Sequence, residues 1–161
     1  MTTTVLELPD STLYDSDLVY LANKLKIPHF RHVKMRDELE ELRPFHGEEC
    51  GIVNLNIHTQ RGSHWICYYK FGNLRFYFDS YAQAPPIELI RYLKTPKELN
   101  ENAPVIHRNA VIVQHFFSNE CGSLCLYVLK LLSNGESFSN ILTSLLERFE
   151  TPINTPLILK V

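Results

Sequence analysis

Four side chains are spaced along this sequence in a way that suits acyl transfer through a thiol. Cys121 follows Ser118-Asn119-Glu120 and opens the apolar run SLCLYVLKLL. With Ser118 or Asn119 as N-cap it falls in the first turn of a helix. Free amide N–H groups and the helix dipole favour a thiolate there, and a thiolate is the nucleophile that acyl transfer uses. Cys125 sits one turn deeper among leucines and reads as an inert buried thiol. Taken alone, Cys121 has the same ordinary reading; its company changes that.

A thiol nucleophile needs a base, and the base needs a group to orient it. His64, in RGSHWICYYK, stands where a polar turn enters a strand. Asp79 ends the aromatic strand RFYFDS, an odd place for a carboxylate chosen for packing. Gly72-Asn73 between the two segments signals a hairpin. The strands then run side by side, and His64 at the start of one falls at the same end of the sheet as Asp79 at the close of the other. Gln114 lies seven residues before Cys121. Its amide, with the backbone N–H of Cys121, could donate to a developing oxyanion, although a glutamine at a strand end is commonly just polar. Trp65, beside His64, reads equally as a core aromatic or as the wall of a substrate groove.

The elements that must hold these residues follow from periodicity. YDSDLVYLANKLKI is a helix capped by Asp15 or Ser16, with Leu18, Leu21, Ala22 and Leu25 on one face and Pro28 beyond its end. Cys50 to Ile57 is a β-branched apolar run and a central strand. The hairpin follows, then a short helix IELIRYL after Pro85-Pro86, a polar loop from Lys94 to Arg108, and a buried strand at Ala110 to Val113. Cys121 to Leu132 and Phe138 to Phe149 are two helices broken near Gly135, and the tail TPINTPLILKV is either an edge strand or an extended arm. Helices and strands do not alternate regularly, so the class is α+β rather than a doubly wound parallel sheet.

At 161 residues the chain is expected to be a single domain, residues 1–161, with a core that needs no staples. A formal charge of −2 argues against a global positive field for nucleic acid. No apolar run reaches membrane-spanning length, and the N-terminus lacks the basic-then-apolar pattern of a secretory signal, so a reducing compartment is expected. Cys50, Cys67, Cys121 and Cys125 do not form a disulfide framework. A zinc site sketched from His29, His32 and two cysteines has no supporting ligand spacing. Lys24, Lys26, Arg31, Lys34 and Arg36 form a basic segment followed by an acidic stretch from Asp37 to Glu49. These read as two solvated faces of opposite sign, or as a docking site for a polyanion or partner.

His64-Trp65, Asp79, Gln114 and Cys121-Gly122, in that chain order, resemble the adenovirus-type (adenain-like) and SUMO-protease-type cysteine endopeptidases. Papain-like enzymes place the cysteine first. The seven-residue step from Gln114 to Cys121 resembles the adenovirus protease. The segments ECGIVNLN, GSHWICYYK, RFYFDSYAQAPP and NECGSLCLYVLK, with KIPHFRHVKMRDEL, also resemble the proteases of Maverick/polinton elements, virophages and related DNA viruses. The resemblance implies a mixed, largely antiparallel central sheet flanked by helices, with the nucleophile at a helix N-terminus. It implies Cys121 as nucleophile, His64 as base and acid, Asp79 as orienting carboxylate and Gln114 as oxyanion donor. It implies substrates among viral capsid or core precursors, cleaved at small residues during virion maturation in the host cytoplasm or nucleus, at an assembly site or inside the virion. Adenovirus proteases carry Glu where this chain has Asp79, and SUMO-type enzymes carry Asp. The adenovirus enzyme is basic and is activated by DNA and a peptide. This chain is slightly acidic, so no cofactor is carried over, and an activating peptide or DNA stays an open question. No metal and no membrane partner are expected, and the chain is expected to be a monomer. Two rival readings are a deconjugating protease for ubiquitin-like modifiers and an inactive peptide-binding module.

Overall fold

The computed structural model describes residues 4–43, 47–61, 63–101, 103–151 and 155–161. Gly62 of the turn before His64, Asn102 of the polar loop and residues 152–154 of the tail lie outside them. In chain order the elements are β1 (Val5–Glu7), α1 (Asp15–Lys24), β2 (Phe30–Met35), β3 (Glu49–Asn54), β4 (Trp65–Phe71), β5 (Leu74–Phe78), α2 (Ile87–Leu93), β6 (Ile106–Arg108), α3 (Cys121–Ser133), α4 (Phe138–Glu150) and β7 (Ile158–Lys160). Short 3-10 turns occupy Arg36–Glu41 and Glu98–Asn100.

The central sheet has the order β2-β3-β4-β5-β6. Its middle is antiparallel, β3 with β4 and β4 with β5. Its edges are parallel, β2 with β3 and β5 with β6. The class is thus the expected mixed α+β. Because β3 and β4 are covered on both faces, they read as apolar runs rather than alternating patterns. One face packs on α1, α3 and α4 through Ile52, Cys67, Phe78, Leu18, Leu124 and Ile141. The other buries Val53, Ile66, Tyr68 and Tyr77 against Leu89, Tyr92 and Leu93 of α2. On that second face Tyr68 and Tyr92 donate to the buried Glu49 carboxylate at 2.9 and 2.7 Å. Gly51 sits against this cluster so closely that a Cβ would meet the Tyr68 ring at 2.9 Å.

The hairpin turns at Gly72, whose φ of +54° suits glycine. Gly135, at φ +88°, separates α3 from α4. The tail forms β7, which pairs antiparallel with β1.

Several expectations need correcting. The basic segment contains a strand, β2, because FRHVKM alternates without a clean apolar face and both faces are half-covered. Its charges are partly engaged: Arg31 reaches the Tyr92 hydroxyl at 2.6 Å and Glu49 at 3.4 Å, and Arg36 lies 3.7 Å from Glu88. Ala110 to Val113 is not a strand, and only Val113 in it is buried. The sheet's last strand lies earlier, at Ile106–Arg108, inside the segment expected to be loop. Asn109 ends that pairing because its side chain takes over the main chain of Asp79. Helix α1 begins at Asp15 after Tyr14, whose N–H is held by Asp17 at 2.8 Å, so neither Asp15 nor Ser16 is the cap.

Candidate active site

His64 stands one residue before β4 on a braced turn. Asn54, buried at the end of β3, accepts from the N–H groups of Asn56 at 2.9 Å and Ser63 at 3.3 Å. Leu55 N–H then bonds the carbonyl of His64 at 3.0 Å. Across the hairpin, Cys67 pairs with Phe78, which brings Asp79 within a residue's length of His64 at one end of the sheet. The imidazole Nε2 lies 2.7 Å from Asp79 Oδ1. That oxygen also accepts from Tyr81 N–H at 2.9 Å. Oδ2 is buried with no hydrogen-bond partner among the described residues. Asn109 clamps the main chain of Asp79 from both sides, accepting its N–H at 3.2 Å and donating to its carbonyl at 2.6 Å. The Tyr81 ring stacks on the imidazole with centroids 4.7 Å apart and planes 25° apart.

Cys121 is the first residue of α3. The first helical bond in this turn is Leu124 N–H to Glu120 O, at 2.8 Å. The amides of Cys121, Gly122 and Ser123 therefore point out of the helix without intrahelical partners. The expected caps, Ser118 and Asn119, do not bond to the helix; Glu120 precedes it with no side-chain cap. Ser118 instead accepts from Glu120 N–H at 3.3 Å. Glu120 is fixed from α4: Arg148 grips its two carboxylate oxygens at 2.7 and 3.2 Å.

The thiol and the imidazole lie close enough for each to shift the titration of the other. Burial alone would raise the Cys121 pKa, but the His64 hydrogen bond, the Trp65 and Gly122 amides and the His64 charge outweigh it and pull the value below that of an ordinary thiol. Burial alone would lower the His64 pKa, but the hydrogen bonds to Asp79 and Cys121 lift it to about 9. Both shifts act in the direction of a thiolate–imidazolium pair. Cys125 shows the contrast: fully buried one turn deeper, its thiol is pushed far up by desolvation.

Gln114 is buried behind the same site. Its Oε1 accepts from Ser80 Oγ at 2.5 Å and its Nε2 donates to Ser118 O at 2.9 Å. An amide nitrogen carries two hydrogens, which leaves one beyond the Ser118 bond. A cleft of about 400 Å³ is lined by His64, Trp65, Gln114 and Cys121 together with Tyr14 and Tyr81. Trp65 is buried in the core and also borders this cleft. Its Nε1 donates to Leu13 O at 2.8 Å and so holds the segment before α1 as the far wall.

Four of the five residues singled out in the sequence thus line one cleft, and the fifth, Asp79, is buried behind it against His64. The residues that brace them are a different set: Asn54, Ser80, Tyr81, Asn109, Glu120 and Arg148. Their signal in the sequence is slight. Asn54 and Asn109 are polar residues closing strands, and Tyr81 lies two residues past Asp79. Nothing in the sequence pairs Glu120 with Arg148. His29 instead lies 3.4 Å from Glu48, and His32 bonds the Tyr68 hydroxyl at 3.0 Å. Among the described residues, no group of three or more His, Cys, Asp or Glu side chains could hold a metal ion. No described helix is long and apolar enough to cross a membrane.

No protein-family model and no curated protein matches the chain. Solved structures do. The chain superposes on the selenomethionine crystal structure of the ASFV pS273R protease with a TM-score of 0.53 and 17% identity, covering 84% of this chain and 63% of that one. A second crystal structure of that protease gives a TM-score of 0.51 and 16% identity, covering 90% and 63%. The likeness is one of fold: a mixed α+β arrangement with a central, mostly antiparallel sheet flanked by helices. The chain spans less than two thirds of the solved protease's length.

Proposed function

We propose that this chain is a cysteine endopeptidase that cleaves viral capsid or core precursors during virion maturation. One observation carries the reading: the His64 imidazole bridges a fully buried carboxylate, Asp79, and a thiol at the first position of a helix, in an open cleft. Likeness of fold to a viral protease supports the viral substrate class, as does the motif order shared with the adenovirus-type and Maverick-type enzymes. The chain would act as a monomer in the host cytoplasm or nucleus, at the assembly site or inside the virion.

The reaction follows from the positions. The Cys121 thiolate attacks the scissile carbonyl carbon, and the carbonyl electrons move onto oxygen. Gln114 Nε2 and the free amides at the start of α3 donate to that oxyanion. His64, as imidazolium, gives its proton to the leaving amine as the C–N bond breaks. Neutral His64 then takes a proton from water, whose oxygen attacks the thioester carbon. The acid product leaves, and the thiolate–imidazolium pair is restored. Asp79 holds the imidazole orientation and stabilises its cationic form throughout.

Alkylation of each cysteine across pH, read by mass spectrometry on the folded protein, tests the activated thiolate. Cys121 should react fastest and stay reactive well below the ordinary thiol pKa of about 8.5. A lowered thiol pKa means the thiolate persists as pH falls, so His64→Ala should move this reactivity to higher pH. Ordinary thiol behaviour at Cys121 would leave a peptide-binding module as the better reading. Assaying a capsid-derived peptide beside a ubiquitin-like modifier precursor then separates the endopeptidase from the deconjugating alternative.

A further inference from the structure

Phe116 and Phe117 are 84% and 94% exposed, five and four residues before the nucleophile. Two adjacent phenylalanines left in water beside a catalytic cleft are costly to solubility, and exposed apolar surface at such a place marks a contact. Phe116 is not isolated from the chemistry. Its ring lies 6.3 Å from that of Tyr81, and the Tyr81 hydroxyl reaches Phe116 O at 3.5 Å. Tyr81 in turn stacks on His64. Phe117 meets Phe116 edge-on, centroids 5.7 Å apart. An aromatic ledge therefore runs outward from the imidazole.

The chemistry says which part of a substrate passes there. The leaving amine takes its proton from His64, so the segment after the scissile bond must pass beside the imidazole. The acyl part stays on Cys121, in the cleft that Leu13 and Tyr14 also line. We infer that Tyr81 and Phe116 form an apolar subsite for the leaving side of the substrate, selecting a bulky apolar or aromatic residue at the first or second position after the cleaved bond. This rests on the endopeptidase reading and adds a specificity to it. Contact with an exposed aromatic ring that becomes covered only in the complex is the kind that dominates binding, and stacking adds to the area buried.

The test uses the full chain and internally quenched peptides from a randomised library. The best-cleaved sequence is remade in pairs that differ only after the scissile bond, alanine against phenylalanine or leucine. Wild type should prefer the bulky residue by about tenfold in kcat/KM. Phe116→Ala should reduce that preference to within about twofold, chiefly through KM. Phe71→Ala, an exposed aromatic at the far end of β4, should keep the full preference. Iodoacetamide labelling of Cys121, which needs no leaving-side contact, checks that the Phe116 variant has an intact nucleophile. If peptides are cleaved but wild type shows no such preference, or Phe116→Ala with a reactive Cys121 retains it, the subsite is refuted while the endopeptidase stands. If wild type has a reactive Cys121 yet cleaves no peptide, both readings fall.

Discussion

Replacing Arg148 by methionine removes the guanidinium that holds Glu120, the residue next to Cys121. The two side chains are 13% and 9% exposed, and two hydrogen bonds of 2.7 and 3.2 Å join them. Solvent cannot replace the lost partner at such burial, so the Glu120 carboxylate is left nearly dry and uncompensated. Breaking a buried pair from one side costs about 3–5 kcal/mol. For a chain of this size each kcal/mol moves the melting midpoint by about 2–4 °C, so Arg148→Met should melt about 6–20 °C below wild type. The asymmetry is the sharper part. Removing both charges with Glu120→Leu/Arg148→Met leaves no orphaned carboxylate, and that double variant should recover to within about 2 kcal/mol of wild type. Urea denaturation of the wild type, both single variants and the double variant gives the coupling energy directly. The reasoning is refuted if Arg148→Met costs less than about 1 kcal/mol, or if the double variant is no more stable than Arg148→Met alone. The same proteins should show slower Cys121 alkylation in Arg148→Met, since the orphaned carboxylate is free to pull the helix start away from His64.

Three further outcomes are expected. Asp79→Asn keeps the shape but not the charge at His64, and should lower peptide hydrolysis by about a thousandfold or more with little change in melting, measured by steady-state kinetics and thermal denaturation. Gln114→Ala should lower kcat by about 10²–10³-fold while Cys121 alkylation, which forms no oxyanion, falls far less. Gly51→Ala drives a methyl into the Tyr68 ring and the His32 side chain at 2.9 and 3.1 Å. It should cost about 1–3 kcal/mol in urea denaturation, with the pH profile of Cys121 alkylation unchanged.

What could be read from the sequence was what is local. The hairpin was legible because Gly72-Asn73 and its flanking aromatic strands lie within fifteen residues, and its register alone brings His64 and Asp79 to one end of the sheet. The start of α3 at Cys121 was legible from the change from polar to apolar residues. That α3 would then deliver Cys121 to the hairpin is a tertiary fact, and only the resemblance of motif order pointed to it. β2 was hidden because its charged residues share faces with its apolar ones. Ala110 to Val113 misled because an apolar β-branched run reads as a strand wherever it falls, while the Asn109 side chain had already taken the hydrogen bonds that a longer strand needs. The pairings of Glu120 with Arg148 and of β1 with β7 join positions whose sequence distance carries no signal.

One wall of the cleft is built from residues 12–14, and the segment leading to it is fastened by residues 157–160. Leu13 hangs from the Trp65 indole, Pro9 O accepts from Ser123 Oγ at 2.5 Å, and Leu8 N–H bonds Leu157 O at 2.8 Å as β1 pairs with β7. A segment synthesised before β7 is thus fastened only once β7 exists. While residues 158–160 are still inside a ribosome, β1 has no partner strand and the wall has no outer fastening. Contacts of such long sequence separation form late and slowly. A nascent chain therefore carries Cys121 and His64 well before it carries a closed groove, and the groove stays open on that side until β7 has been translated.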